Sequence, residues 1–139
     1  MSKNKTIVFL DTWISSIEDY ANEVEHHGYK IGAEKSAEKL LSKIKDGSLH
    51  PDVIITELIL EGMGEANNFY GKRDVLLSNC AKLLADELDI LNFTCKLVVL
   101  TSWTTEHILE EVNTDNRFSK VLNKFIGCKE FANIIDELF

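Results

Sequence analysis

Four polar residues close or interrupt apolar runs in this chain, and together they could do phosphate or metal chemistry. Asp11 follows Ile7-Val8-Phe9-Leu10, Thr101 follows Val98-Val99-Leu100, Lys124 follows Val121-Leu122-Asn123, and Glu57 sits inside the nearly all-apolar stretch from Pro51 to Met63. Two carboxylates, a hydroxyl and an ammonium gathered at one place make a candidate phosphoryl or divalent-metal site. Each residue alone has a plainer reading, since a strand-end Asp or Thr is commonly a helix cap and a lone Lys is usually solvated. Glu57 resists the plain reading most, because a carboxylate in a buried apolar run is costly unless it is paired.

The elements that must position these residues follow from the periodicity. Thr6 to Leu10 reads as a first buried strand. Ile14, Ile17, Ala21 and Val24 then fall on one face of a helix from about Trp13 to His27, with Thr12 as its cap and Gly28 as its stop. His26 and His27 end that helix, where imidazolium suits the dipole. Tyr29 to Ala33 reads as a second strand, and Ala37, Leu40, Leu41 and Ile44 as a second amphipathic helix ending near Asp46-Gly47. Pro51 opens the third strand, whose run of branched residues reads as buried on both faces.

From Glu61 to Gly71, three glycines and two asparagines without periodicity predict a loop that is long for an α/β connection. A third helix, from Arg73 to about Leu91, carries Leu76, Cys80, Leu83, Leu84, Leu88 and Leu91 on one side. Lys96 to Leu100 is a fourth strand. Ile108, Leu109 and Val112 mark a short helix from about Thr104 or Thr105, Phe118 to Asn123 a fifth strand, and Phe131, Ile134, Ile135 and Leu138 a closing helix. Strands alternating with helices in this way predict a doubly wound α/β domain of the flavodoxin-like kind: a five-stranded parallel sheet, order 2-1-3-4-5, with helices on both faces. That order gathers the ends of strands one, three, four and five at the switch point, where ligands of open α/β sheets bind.

Bulk composition narrows the function. At 139 residues, 45% hydrophobic and 27% charged, the chain reads as one globular domain spanning 1–139 with no output domain. A net charge of -8 disfavours nucleic acid and other acidic partners. The apolar run from Ile7 to Leu10 is too short for a signal-peptide core or a membrane helix, so a cytoplasmic protein that does not bind membranes is expected. Cys80, Cys95 and Cys128 form no C-x-x-C pair and read as packing residues in or near the core.

The spacing of the four motifs resembles the receiver domain of two-component response regulators, the CheY-like family, and the resemblance covers essentially the whole chain. Ile7-Val8-Phe9-Leu10-Asp11-Thr12 matches the first-strand motif, and Asp52 through Met63, with Gly62-Met63, matches the phosphoacceptor motif. Val98 to Ser102 and Val121 to Phe125 match the fourth and fifth. The resemblance puts Glu57 where the family has a phosphoacceptor Asp, supported by Thr101 and Lys124. It places the Mg²⁺ site at Asp11, Glu57 and Ile59.

The departures strike at that chemistry. Thr12 stands where the family has a second acidic metal ligand, Val121 where it has a switch aromatic, and Phe125 where it has Pro. Losing an anionic ligand weakens a Mg²⁺ site, and the extra methylene of Glu57 misplaces a nucleophile, so no catalytic residue and no cofactor are expected. The resemblance thus implies an atypical receiver acting through another signalling protein, whether a histidine kinase, a response regulator or an output protein, as a monomer or homodimer. In it Glu57 either mimics a phosphorylated Asp or simply pairs with Lys124. The family's usual docking surface, built from helix four, strand five and helix five, makes Trp103, His107, Lys120 and Lys129 interface candidates. Two other readings stay open. One is a Mg²⁺-dependent receiver phosphorylated on Glu57 or Asp11. The other is a flavodoxin-like enzyme or small-ligand binder, for which Asp11-Thr12-Trp13 stands in place of a Gly-rich phosphate loop.

Overall fold

The computed structural model describes residues 4–58, 80–102 and 106–139. The strands are β1 (Thr6–Leu10), β2 (Lys30–Glu34), β3 (Val53–Thr56), β4 (Lys96–Thr101) and β5 (Phe118–Asn123). The helices are α1 (Glu18–His26), α2 (Ala37–Lys45), α3 (Cys80–Ile90), α4 (Glu106–Asn113) and α5 (Cys128–Glu137), and a single 3-10 turn, Ile14–Ser16, precedes α1. The sheet has five strands in the order β2-β1-β3-β4-β5, and every pairing is parallel. This is the doubly wound fold that the sequence predicts.

Strand alternation divides the core in two. Val8, Leu10, Ile54, Leu97 and Val99 pack with Leu40, Leu84 and Val112 of α2, α3 and α4 on one face. Ile7, Phe9, Ile55, Val98 and Leu100 pack with Val24 of α1 and Phe131 and Ile135 of α5 on the other. That is why the central strands read as unbroken apolar runs: successive side chains enter opposite cores, and neither face meets water. Cys80 is buried, and Cys95 and Cys128 are half-buried against these cores, as packing residues would be.

Three boundaries differ from the sequence reading. Thr12 does not cap α1, which starts at Glu18 with Ile17 in the cap position and no side-chain cap hydrogen bond. The Asp11 carboxylate instead accepts the Trp13 N–H at 2.8 Å, closing a turn, and the 3-10 turn uses up the rest of the expected first helical turn. β2 begins at Lys30 and not Tyr29, because the Tyr29 ring is buried and its hydroxyl donates to Asp136 of α5 at 2.6 Å. The regular part of the Pro51–Met63 run ends at Thr56. The remainder of that run from Ile59, the expected loop from 61 to 72 and the expected first turns of the third helix lie outside the described residues. Gly28 follows α1 with φ 103°, a left-handed conformation suited to its role as the stop.

Candidate functional site

The sheet register brings three of the four singled-out side chains together. Leu10 pairs with Thr56, so Asp11 and Glu57 leave adjacent strands side by side; Thr101 pairs with Asn123, so Lys124 leaves one step beyond. Asp11 and Glu57 are buried. Lys124 Nζ donates to Asp11 Oδ2 at 2.7 Å and lies 3.0 Å from Glu57 Oε2. Its third contact is Ser16 Oγ at 3.0 Å. An ammonium carries three N–H donors, and among the described residues three oxygens surround this one.

The remaining carboxylate oxygens are turned to the main chain. Asp11 Oδ1 accepts the Trp13 N–H, and Glu57 Oε1 accepts the Leu58 N–H at 2.8 Å. Each carboxylate therefore gives one oxygen to a backbone donor and one to Lys124. Burial pulls the Lys124 pKa down, but hydrogen bonds and attraction from Asp11 and Glu57 outweigh it and leave the ammonium more firmly protonated than an ordinary lysine. The cluster holds two negative charges and one positive, a net of -1 in a water-poor setting.

Thr101, the last residue of β4, is buried, and its carbonyl accepts the Lys124 N–H at 2.8 Å, which aligns the end of β5. Ile59 and Trp103 lie outside the described residues, as does the side chain of His107. Lys120 and Lys129 are exposed on β5 and α5, and Val121 is half-buried against the α2, α3 and α4 core. His27 faces carboxylates, with Nδ1 2.8 Å from Asp136 and Nε2 3.4 Å from Glu23, at the opposite end of α1 from the cluster.

Sequence reasoning missed two members of the site. Ser16 lies in a 3-10 turn and obeys no periodicity. Tyr20 left a signal that could have been used: it falls between Ile17 and Val24 on the apolar stripe of α1, where a hydroxyl demands a partner. The Tyr20 hydroxyl donates to the carbonyls of Lys124 at 2.5 Å and Ile126 at 2.8 Å, and its ring sits edge-on to Phe131 at 5.2 Å between centroids. The segment following Lys124 is thus fixed to α1.

No protein-family model and no curated protein sequence matches the chain. Solved structures do. A CheY-like response regulator receiver domain protein from Methanospirillum hungatei JF-1 is similar with a TM-score of 0.71 at 14% identity, over 98% of this chain and 94% of that one. A two-component response regulator from Clostridium difficile is similar with a TM-score of 0.71 at 17% identity, over 97% and 95%. The signal receiver domain of an HD domain-containing protein from Pseudomonas fluorescens Pf-5 gives 0.73 at 12%, over 99% and 88%. The chain has the receiver fold. At these identities the likeness concerns the fold, and no helix among the described residues is long and apolar enough to cross a membrane.

Proposed function

We propose that this chain is an atypical receiver-type signalling domain that acts by binding another protein and has lost conventional aspartyl phosphorylation. The observation that carries the reading is Lys124 held between Asp11 and Glu57 at 2.7 and 3.0 Å. Glu57 occupies the phosphoacceptor's place, yet its carboxylate is committed to Lys124 and the Leu58 N–H. Its longer side chain keeps a negative charge against Lys124, a charge a phosphoryl group would otherwise bring.

The residues do not fit the Mg²⁺ ion that the fold family implies. Mg²⁺ requires near-octahedral oxygen ligands at roughly 2.0–2.1 Å. Both carboxylates here face an ammonium, Thr12 adds no charge, and among the described residues no group of three His, Cys, Asp or Glu is placed to hold a metal. A dication would have to expel Lys124 from two buried partners. Without it, the charge that collects when a phosphoryl donor approaches a carboxylate meets Lys124, whose ammonium is already shared between Asp11 and Glu57.

Adding beryllofluoride or acetyl phosphate with millimolar Mg²⁺ is expected to leave the tryptophan fluorescence unchanged, although Trp13 is tied through its N–H to Asp11. A Mg²⁺-dependent shift would overturn the reading. Calorimetry should find no strong Mg²⁺ binding for Glu57→Asp alone and recovered affinity for Glu57→Asp with Thr12→Asp, because only the pair restores both the shorter acceptor and the missing anionic ligand.

A further inference from the structure

The end of α3 shapes a recess at the amino edge of the sheet, away from Lys124. Asn92 follows the helix with φ 55°, a left-handed conformation that Asn tolerates better than most side chains, and the chain reverses there. Asn92 N–H donates to the Asp89 carbonyl and Phe93 N–H to the Leu88 carbonyl, both at 3.0 Å, the two bonds of a Schellman stop. The stop returns Phe93 to Leu88, and both line a recess of about 200 Å³ with Ala85, Cys95 and Leu97. Ala85, Leu88 and Leu97 are buried, and Phe93 and Cys95 are half-buried against the same core. Burial, helped by the nearby Asp52, pushes the Cys95 thiol up to about 12, so the wall stays uncharged at neutral pH.

The rim of this apolar recess is charged. Asp89 and Arg117 line it, and Arg117 is already taken: Nε and Nη2 donate to Asp115, and Nη1 to both Asp86 and Asp89. Asp89 gives only Oδ2 to the guanidinium, and its Oδ1 has no hydrogen-bond partner among the described residues. Lys82 lies near enough to Asp115 to act on its ionisation, as Asp52 does on Cys95. Lys96, exposed between Cys95 and Leu97, alternates to the other side of β4. The carboxylates of Asp52, Asp86, Asp89 and Asp115 therefore stand against Arg117 and Lys82, four negative charges against two positive.

We infer that the recess binds a small organic cation, a protonated amine carrying one ring or a short alkyl chain, with its apolar part among Leu88, Phe93 and Leu97 and its ammonium at Asp89. Size sets the class. An apolar cavity of roughly 150 Å³ holds benzene, so this one has room for a ring with a short arm and none for a peptide segment or a nucleotide. Charge sets the sign. An anion meets a negative surround and a guanidinium held by three carboxylates, whereas an ammonium gains both the field and a charge-assisted hydrogen bond to Asp89 Oδ1. Because the Schellman stop forms the walls before any ligand arrives, little ordering is lost on binding. The inference goes beyond the receiver reading, since the recess and the Asp11–Lys124–Glu57 cluster lie at opposite edges of the sheet.

The test titrates the full, isotope-labelled chain with benzylamine and follows the backbone amides by NMR, with benzyl alcohol and benzoate as probes that keep the ring and change the charge. Benzylamine should shift the amides of Phe93, Cys95 and Leu97 saturably and leave those of Asp11, Glu57 and Lys124 in place. Benzyl alcohol should bind about three- to fivefold more weakly, and benzoate more weakly still. Asp89→Asn should weaken benzylamine by the same factor and leave benzyl alcohol unchanged, while Glu38→Gln, at an exposed carboxylate on α2, should alter neither. Ala85→Leu fills the recess and should abolish binding of both, with the amide spectrum reporting whether the fold is intact. Asp89 is 65% exposed, so Asp89→Asn decides the matter if Ala85→Leu does not fold. Absence of a saturable benzylamine shift overturns the site, as do shifts centred on Lys124 or binding that survives in a folded Ala85→Leu. Equal affinity for the three probes, or benzylamine binding indifferent to Asp89→Asn, overturns the cation.

Discussion

Among the described residues, Lys124 and Arg117 are each held by two or more carboxylates, one at each edge of the sheet, and the two clusters differ in physical character. At the carboxyl edge Lys124, 12% exposed, sits between Asp11 and Glu57, which are 4% and 6% exposed. At the amino edge Arg117, just before β5, contacts Asp115 at 2.7 Å, Asp86 at 2.9 Å and Asp89 at 2.8 Å. Asp86 and Asp89 on α3 are more than half exposed, while Asp115 is 11% exposed and Arg117 itself 28%, so the contrast rests on the two α3 pairs and on the more open cation. Counting partners would rank Arg117 first. Burial reverses the ranking: solvent screens the exposed pairs and side-chain entropy opposes them, whereas each member of the buried cluster depends on the others for its solvation.

The largest effect should come from Lys124→Met, which leaves two buried carboxylates without their cation. Unpairing a buried ionic group costs about 3–5 kcal/mol, so urea unfolding at neutral pH should show a loss of that order. The pH dependence has a definite sign. Lys124 has a pKa raised above its ordinary value of 10.5, so its contribution is complete below that value and is lost as pH rises through the higher folded-state value. From neutrality upward, the stability difference between wild type and Lys124→Met should therefore be flat at first and shrink above about pH 10.5. A difference that shrinks between neutrality and pH 9 would mean that the ammonium is not the held species.

Tyr20→Phe should have an intermediate effect and separates bracing from charge. The ring keeps its contact with Phe131, while the carbonyls of Lys124 and Ile126 lose a donor. A loss of about 1 kcal/mol is expected, with faster amide exchange confined to the segment from Lys124 to Gly127. Exchange that accelerates evenly through α1 and α5 would make Tyr20 a packing residue only.

The same contrast explains what was legible in the sequence. Val8, Ile54 and Val99 read correctly because a strand covered on both faces must be apolar throughout, and strand order then follows from short right-handed crossovers. Asp11, Glu57 and Lys124 were found because each closes or interrupts an apolar run. Thr12 was misread as a cap because the competing Asx turn at Asp11 is specified by the same residue types. Ser16 was invisible, since a single hydroxyl in a 3-10 turn has no period, and the Arg117 cluster was missed for a related reason. Asp86, Asp89, Asp115 and Arg117 come together only through the packing of α3 against the start of β5, and on the sequence they are ordinary surface charges.

The smallest effect is expected for Arg117→Met, and it tests the comparison from the other side. Despite three carboxylate partners, the loss should stay below about 1 kcal/mol at low salt and largely vanish at high salt. Asp115 supplies a second signature. Its hydrogen bond from Arg117 holds the carboxyl below its ordinary value of 3.8, so its contribution is present above that value and disappears as pH falls through the lower folded-state value. Wild type and Arg117→Met should accordingly converge in acid, whereas wild type and Lys124→Met converge in alkali. A salt-resistant loss of several kcal/mol from Arg117→Met would mean that the amino edge is as desolvated as the carboxyl edge, and that partner number rather than burial governs how the two clusters contribute.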